Sequence, residues 1–240
     1  MGKIALIFPG QGSQEVGMAK EFYENFASSK KIIDQANTEL GFDLKNLMFN
    51  GPIEELTKTE NTQPASIAIL QALKEKGIVF GAVAGHSLGE YSAYVAAEKL
   101  SFADAVKAVR KRGELMANAD PDKKGGMAAV MRIEDNKVED ICKKYSKVVP
   151  ANYNCPGQLV ISGDKEELAK VSEEIAQAGG RAMPLNVSGP FHSPLMKGAA
   201  EQFSGFLSSL SFKDSGISLY CNVNAKPLAS GKEAELLKEQ

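Results

Sequence analysis

The chain of 240 residues is 43% hydrophobic and 24% charged, proportions of a globular domain that exclude a disordered, collagen-like or coiled-coil protein. A formal net charge of -2 leaves no basic excess to neutralise phosphates, so nucleic acid is not expected as a partner. The three cysteines form no CxxC pair and fit neither a disulfide framework nor a zinc site. They predict reduced thiols and a cytoplasmic location.

The first predicted element is a continuous apolar run, residues 4–8, which ends in a glycine-rich turn. This pattern is typical of a parallel strand that is buried on both faces. Because the run stops at Pro9, it is too short for a signal-peptide core or a membrane span, and no other stretch is long enough. We therefore expect no membrane partner. A helix is predicted over residues 15–39.

The loop FPGQGSQ, residues 8–14, resembles a phosphate-binding loop but fits neither common template. A Walker A loop would need a Lys followed by Ser or Thr after its second glycine, and a GxGxxG loop would need a third glycine. What remains is a loop at a strand end, with outward-pointing backbone N–H groups that include that of Gln11. Such a loop can supply one donor of an oxyanion hole.

The motif GHSLG, residues 85–89, lies between a second predicted strand, residues 79–84, and a predicted alanine-rich helix, residues 88–100. Strand, tight turn and helix form the context that a GxSxG nucleophile elbow requires. In an elbow, Ser87 would expose its hydroxyl at the sheet edge, and the Leu88 N–H at the helix start would face an oxyanion. The alternative is a plain strand-to-helix turn with an N-capping serine.

A further helix is predicted to begin after Ser101, which can form a capping pair with Asp104. Steps of three and four residues lead along one apolar stripe to Arg112; the stripe consists of Phe102, Ala105, Val106 and Val109. An inward guanidinium needs an anion, and no internal acid is evident, so a ligand carboxylate is a candidate. The alternatives are a structural salt bridge and a snorkelling side chain.

From residue 125 onward the pattern changes to six shorter elements in the order βαββαβ. The predicted strands cover residues 127–133, 148–154, 157–163 and 181–187, and the predicted helices cover residues 136–145 and 165–179. This order matches the ferredoxin-like split βαβ module, inserted into a larger α/β domain. We predict a main domain of residues 1–123 and 190–240 and a small subdomain of residues 124–189.

A serine nucleophile needs a base, and the chain has only two histidines, His86 and His192. His86 is adjacent to Ser87 and is expected to point elsewhere. His192 precedes a helix that is predicted to begin at Ser193 and Pro194 and to cover residues 195–210. The positive end of that helix would keep the imidazole neutral, as a general base requires. The alternative is a loop histidine with a structural role. One strand and the start of a helix are predicted for the remaining segment.

Six motifs follow one another in the order FPGQGSQ, TQPA, GHSLGEYSA, VRKRGELM, NCPGQ and GPFHS. With them, the chain resembles malonyl-CoA:acyl-carrier-protein transacylases over essentially its whole length. The resemblance implies an α/β-hydrolase-like main domain with a parallel sheet, into which the ferredoxin-like subdomain is inserted. Since relatives continue through further strands and helices, it also implies that a C-terminal part of the main domain is missing here.

The resemblance also implies roles for individual residues. Ser87 would be the acylated nucleophile and His192 its base, with Arg112 as the clamp on the malonyl carboxylate. The backbone N–H groups of Gln11 and Leu88 would form the oxyanion hole. Gln63, in TQPA, and Asn154, in NCPGQ, match family motifs near the active-site cleft. In similar enzymes, Phe191 accompanies a preference for malonyl over branched acyl groups.

The implied reaction moves the malonyl group from malonyl-CoA to the phosphopantetheine thiol of acyl carrier protein in fatty acid synthesis. It proceeds through a malonyl-serine ester with ping-pong kinetics. No metal or other cofactor is implied, because the CoA thioester is itself a substrate. Lys107, Arg110 and Lys111 are candidate docking charges for an acidic carrier protein, or else form a solvated helix face.

Two other functions remain open on the sequence alone. A serine thioesterase or esterase would share Ser87 and His192 but would have no use for an inward Arg112. A catalytically impaired fragment would bind acyl carrier protein without turnover. The second alternative arises because the family's histidine-orienting glutamine falls near or just past Gln240, the last residue.

Overall fold

The computed structural model describes residues 4–67 and 79–240. Within these ranges, no helix combines the length and the apolar composition needed to cross a bilayer. Contacts divide the chain into two compact units, which we call the first unit, Met1–Glu114 with Gln202–Gln240, and the second unit, Leu115–Glu201. The sequence-based limits of the main domain and the small subdomain stay a prediction.

Strands and helices alternate along the described chain, as expected for a mixed α/β protein. In chain order the elements are β1 (Ala5–Phe8), α1 (Lys20–Asn25), α2 (Ala27–Leu40), α3 (Leu44–Asn50), α4 (Ile53–Leu56), α5 (Thr59–Ile67), β2 (Ala82–Gly85), α6 (Gly89–Ala96), α7 (Phe102–Ala117), β3 (Gly125–Met131), α8 (Asp135–Cys142), β4 (Val148–Cys155), β5 (Gln158–Asp164), α9 (Lys165–Gln177), β6 (Arg181–Pro184), α10 (Lys197–Leu207), β7 (Ser218–Tyr220) and α11 (Glu233–Glu239).

The first unit contains a parallel sheet with the strand order β1-β2-β7. The prediction of a strand over residues 4–8 is confirmed, but the prediction that both of its faces are buried is wrong. Leu6 and Phe8 are half-buried, whereas Ala5 and Ile7 on the other face are exposed. β1 lies at the edge of this sheet, and among the described elements it contacts chiefly β2 and the single helix α6, so that only one of its faces is covered.

The helix predicted over residues 15–39 is interrupted twice in the structure. Gly17 and Ala19 have left-handed backbone conformations, with φ of 94° and 63°, so that α1 begins only at Lys20. Phe26 is extended and separates α1 from α2. A left-handed or extended residue cannot continue a right-handed helix, and periodicity alone does not reveal such a residue.

Helix α7 follows the prediction closely. Ser101 Oγ accepts the Asp104 N–H at 3.1 Å and donates to the Asp104 carboxylate at 2.7 Å, which is the predicted capping pair. The whole predicted stripe is buried, and so is Arg112. Gly113 does not end the helix. A Cβ at this position would lie 2.6 Å from Glu60 Cα, so the glycine allows α7 to approach the start of α5.

The second unit contains an antiparallel sheet with the strand order β4-β5-β3-β6. Its strands and the helices α8 and α9 occur in the predicted order. Asp164 caps α9 by accepting the N–H groups of Glu166 and Glu167 at 3.0 and 3.2 Å. The core of the unit consists mainly of apolar side chains, with one cysteine and the fully buried Ser162. Its fully buried apolar members include Val138, Ile161, Val171 and Ile175.

Two short predicted segments after the antiparallel sheet also occur in the structure. Ser193 Oγ accepts the Leu195 N–H at 3.3 Å, and Pro194 occupies the first position of a single 3-10 turn that leads into α10. The predicted helix therefore begins as a 3-10 turn and ends at Leu207. The strand and the helix start predicted for the last segment are β7 and α11.

Candidate active site

The GHSLG segment forms a sharp strand-to-helix turn between β2 and α6. Ser87 has a left-handed backbone with φ of 51°, a conformation that costs a residue with a side chain about 1–3 kcal/mol. A Cβ at Gly85 would lie 2.0 Å from the Gly89 carbonyl carbon, and a Cβ at Gly89 would lie 2.4 Å from Phe8 O. Only glycine fits both positions, so the strand, turn and helix context of the elbow is confirmed.

The backbone of Leu88 lies directly after Ser87, at the start of α6. The next two N–H groups, of Gly89 and Glu90, donate to His86 O at 2.8 Å and to Ser87 O at 3.0 Å. At a helix start the first N–H groups have no carbonyl of a preceding turn to bond, and the helix dipole favours an anion there. The Leu88 N–H is therefore a suitable oxyanion donor by position.

Arg112 and Ser87 come together as the sequence predicts. Arg112 is buried, and its Nη2 donates to Ser87 Oγ at 3.2 Å and to Gln240 Oε1 at 2.9 Å. Its Nη1 donates to Gln63 Oε1 at 3.2 Å. The guanidinium also lies over the Tyr91 ring, 5.7 Å from its centroid, which adds a cation–π attraction. A cation is thus held beside Ser87 by neutral acceptors.

The expectation that no internal acid compensates Arg112 is wrong, because Glu90 lies in the same network. Gln240 Nε2 donates to Glu90 Oε2 at 2.8 Å while Gln240 Oε1 accepts from Arg112, so one amide links the two charged groups. Burial raises the pKa of Glu90 to about 7, against hydrogen bonds and the charge of Arg112, which lower it. Because burial favours the neutral form of the Glu90 carboxyl, this group compensates the charge of Arg112 only in part.

Asn222 also contacts the elbow, and the sequence analysis missed it. Its Oδ1 accepts the Ser87 N–H at 2.6 Å, and its Nδ2 donates to Gly85 O. Its own N–H donates to Glu90 Oε2 at 2.9 Å. The only signal for it was its place two residues after β7, since the carboxyl ends of parallel strands meet at one edge of a sheet.

The loop after β1 lies against the elbow. A Cβ at Gly10 would lie 2.6 Å from His86 Nδ1, and the exposed His86 therefore packs on this loop. Ser13 Oγ donates to Gly10 O at 2.8 Å, and the side chain of Gln11 donates to Thr59 Oγ1 at 3.0 Å. Gln11 thus has a fixed side chain in the first unit, while its backbone role stays a prediction.

His192 belongs to the second unit, where its loop is tightly constrained. Its backbone is left-handed with φ of 57°, and its side chain is half-buried. The neighbouring Ser193 Oγ donates to Pro190 O at 2.7 Å. A Cβ at Gly125 would lie 2.3 Å from Pro190 Cγ, so the loop packs directly on β3. The pairing of His192 with the elbow serine stays a prediction.

The remaining candidates of the second unit differ in their surroundings. Phe191 is buried in an apolar cluster with Met127, Val160 and Met196. Asn154 is exposed on β4. Their roles toward a substrate stay predictions.

The three candidate docking charges on α7 are not equally available. Lys107 Nζ lies 2.7 Å from Glu39 Oε2, and Arg110 donates to Glu114 and Asn61, both at 2.7 Å. Lys111 is exposed. Intrachain partners therefore hold two of these side chains, and their contact with a carrier protein stays a prediction.

Comparisons with known proteins agree over most of the chain. The family model described as the acyl transferase domain matches residues 5–235. The malonyl CoA-acyl carrier protein transacylase of Bacillus subtilis (strain 168) is 48% identical over 234 residues, which cover 94% of this chain and 74% of that protein. The enzyme of the same name from Staphylococcus aureus (strain MRSA252) is 48% identical over 235 residues, which cover 94% and 76%.

Solved structures give the same result. The malonyl CoA-acyl carrier protein transacylase from Clostridium perfringens ATCC 13124 superposes with a TM-score of 0.95 at 40% identity and covers 100% of this chain and 78% of its own. A malonyl-transacylase structure in complex with a type II PKS acyl-carrier protein matches with a TM-score of 0.94 at 37% identity, covering 99% and 80%. The chain spans about three quarters of its curated relatives.

Proposed function

The chain belongs to the acyl transferase domain family, and we propose that it transfers the malonyl group from malonyl-CoA to acyl carrier protein. Relatives with 48% identity have the name of this activity, and a similar structure contains a carrier protein with its malonyl-transacylase. The activity is an S-malonyltransferase reaction of fatty acid synthesis. Its chemistry has to come from the residues around Ser87.

One observation carries the proposal: the buried Arg112 guanidinium lies 3.2 Å from Ser87 Oγ. An acyl group on Ser87 would bring its far end to this cation. A malonyl group ends in a carboxylate, which a guanidinium can bind through two parallel hydrogen bonds. A neutral acyl group would leave the buried cation without an anionic ligand, and such a mismatch is penalised strongly. A general esterase gains nothing from this arrangement.

The proposed reaction has two half-reactions at the same serine. Ser87 Oγ attacks the thioester carbonyl while His192 takes its proton, and the N–H groups of Leu88 and Gln11 bind the oxyanion. When the C–S bond breaks, His192 returns the proton and CoA leaves as a thiol. The carrier thiol then attacks the malonyl ester, with His192 again as base, and Ser87 regains its proton. No metal or further cofactor takes part in these steps.

The proposal extends to the finer fold class and the location. We class the second unit as ferredoxin-like, supported by its βαββαβ order and by the strand order β4-β5-β3-β6. The first unit, with an elbow after a parallel strand, fits an α/β-hydrolase-like domain. A cytoplasmic location is supported by three cysteines that are all free: Cys142, Cys155 and Cys221.

The direct test is to incubate the chain with malonyl-CoA and to measure its intact mass and peptide map. We expect one malonyl group on the peptide that contains Ser87, its transfer to added holo-carrier protein, and no label on Ser87→Ala. Acetyl-CoA, which has no carboxylate on its acyl group, should label the serine far more slowly. A folded chain that binds carrier protein but takes no malonyl group would contradict the proposal, and release of free malonate in place of transfer would favour a thioesterase.

A further inference from the structure

The turn that presents Ser87 is held by a side chain from a distant part of the chain. Asn222 bonds the backbone on both sides of the turn, because Oδ1 accepts the Ser87 N–H and Nδ2 donates to Gly85 O. Asn222 is exposed, so these hydrogen bonds rather than packing fix its position. They compensate the cost of the left-handed Ser87 backbone.

A second side chain links the same turn to the guanidinium. Gln240 Nε2 donates to Ser87 O at 3.1 Å, and Gln240 Oε1 accepts from Arg112 Nη2 at 2.9 Å. The amide can serve both groups only in one orientation, since its nitrogen donates and its oxygen accepts. The position of Arg112 relative to the serine backbone therefore depends on Gln240.

Both links end at one oxygen atom of a buried carboxyl group. Glu90 Oε2 accepts the Asn222 N–H at 2.9 Å and the Gln240 amide at 2.8 Å. Glu90 is 1% exposed, and its Oε1 has no hydrogen-bond partner among the described residues. A buried carboxyl group with one unpartnered oxygen is costly for stability alone. Its bonds, however, hold both of the side chains that fix the elbow and the clamp.

We propose that Glu90 is a positioning residue that orients the Ser87 elbow through Asn222 and the Arg112 guanidinium through Gln240. This inference rests on the proposed malonyl transfer. Glu90 touches neither substrate nor nucleophile in this role. It keeps the hydroxyl that attacks the thioester and the cation that binds the carboxylate in one relative geometry, and a displacement of about 1 Å there can cost about 10²-fold in rate.

The two links predict different kinetic effects, and the test uses this difference. Asn222→Ala should lower kcat for acylation by malonyl-CoA and by acetyl-CoA alike, because it loosens the nucleophile. Gln240→Ala should impair acylation by malonyl-CoA, chiefly through KM, much more than acylation by acetyl-CoA, because both donors lose the bond to Ser87 O but only malonyl-CoA uses the guanidinium that Gln240 orients. Glu90→Ala should show both effects, with kcat/KM for malonyl-CoA reduced about 10²-fold. Glu90→Gln should restore most of the loss, since its amide oxygen still accepts two N–H groups.

A matched control separates positioning from general stability. Glu233 is also buried, and Glu233→Ala removes a carboxyl group of the same size outside the network. We expect its kcat and KM to equal those of the parent after correction for the folded fraction by circular dichroism. A Glu90→Ala variant with parental kinetics, or one whose loss equals its unfolded fraction as in Glu233→Ala, would overturn the positioning role.

A second measurement keeps this test independent of the acyl donor. A fluorophosphonate probe reacts with an activated serine whether or not malonyl-CoA is the substrate. We expect slower labelling of Ser87 in Glu90→Ala and Asn222→Ala and a smaller decrease in Gln240→Ala, which loses a single bond to the turn. A parent that labels at Ser87 but takes no malonyl group would contradict the proposed function alone. Equal labelling of the parent and Glu90→Ala would contradict the positioning role.

Discussion

The two units of the chain bury very different side chains. The second unit, around β3 to β6, buries mainly apolar side chains, together with the thiol of Cys142 and the hydroxyl of Ser162. Around β2 and α6 the first unit instead buries Glu90, Arg112 and Gln63, and hydrogen bonds connect all three. Burying polar groups costs stability, which an apolar core would avoid. The first unit therefore gives up stability to hold a buried cation beside Ser87.

The largest expected effect comes from removing the positive charge of Arg112. Arg112→Ala should reduce kcat/KM for malonyl-CoA by about 10³-fold, or about 4 kcal/mol, because the carboxylate loses its buried partner. Acylation by acetyl-CoA should not fall. Steady-state release of CoA thiol measures both rates. As a control, Arg132→Ala removes an exposed arginine of the second unit and should keep parental rates. An equal loss with both acyl donors would contradict the clamp.

In the second unit, the substitution of a buried apolar side chain should change stability and leave the acylation rate unaffected. Ile161 is fully buried in β5, and Ile161→Ala should lower the free energy of unfolding by about 3 kcal/mol through lost burial and a cavity. Urea unfolding measures this change, with Met183→Ala, a partly exposed position on β6, expected within about 1 kcal/mol of the parent. The folded fraction should be acylated at the parental rate. A slower rate in folded Ile161→Ala would show that the units are not separable in this way.

The pH dependence of stability should have opposite signs in the two units. The pKa of Glu90 is about 7 in the folded chain against 4.5 ordinarily, so the native state binds its proton more tightly. The free energy of unfolding therefore falls as pH rises from about 4.5 to 7, by up to about 3 kcal/mol from this group. Glu90→Gln should flatten that fall. Urea unfolding at pH 5 and pH 7.5 measures it.

The half-buried Glu174 of the second unit is the control for this pH effect. Its hydrogen bonds from Lys144 and Tyr145 lower its pKa below 4.5. The stability that it contributes is therefore present above pH 4.5 and is lost as pH falls through the folded pKa. Glu174→Gln should not alter the slope between pH 5 and 7.5. If the free energy of unfolding changes equally in the parent and in Glu90→Gln between pH 5 and pH 7.5, the raised pKa of Glu90 is contradicted.

The smallest expected difference between the units concerns helix caps. Ser101 caps α7 in the first unit, and Asp164 caps α9 in the second. Ser101→Ala and Asp164→Ala should each cost about 1 kcal/mol of unfolding free energy, because a cap satisfies N–H groups locally. Thermal unfolding of both variants measures this cost. A difference above about 2 kcal/mol between them would show that one cap has a tertiary role.

Local signals in the sequence account for most elements and for several site residues. The stripe that begins at Phe102 predicted an inward Arg112, and the structure places that side chain against Ser87. The two motif glycines predicted the elbow, and Gly85 and Gly89 both occupy positions where a Cβ would clash. Where the prediction failed, at residues 15–39, single left-handed or extended residues interrupted an otherwise helical pattern.

Residues from distant parts of the chain could not be found in this way. Asn222 lies 135 residues from Ser87 and 132 residues from Glu90 in sequence. Neither Asn222 nor Glu90 belongs to a hydrophobic pattern with the period of a strand or a helix, 2 or 3.6 residues. Their hydrogen bonds exist only because β2 and β7 pair in parallel and bring the two strand ends to one edge.

Local signals in the sequence predicted the turn that carries Ser87, the buried cation on α7 and the order of the strands and helices, while the role of Ser87 as a nucleophile stays a prediction. These features follow from local sterics, capping and periodicity, which act over a few residues. The network that joins Glu90 to Arg112, and the contacts of Asn222 and Gln240 with the turn and the guanidinium, form only in the folded chain. The pKa of Glu90 was decided there too, because desolvation and hydrogen bonding depend on which distant side chains surround a group once the chain has folded.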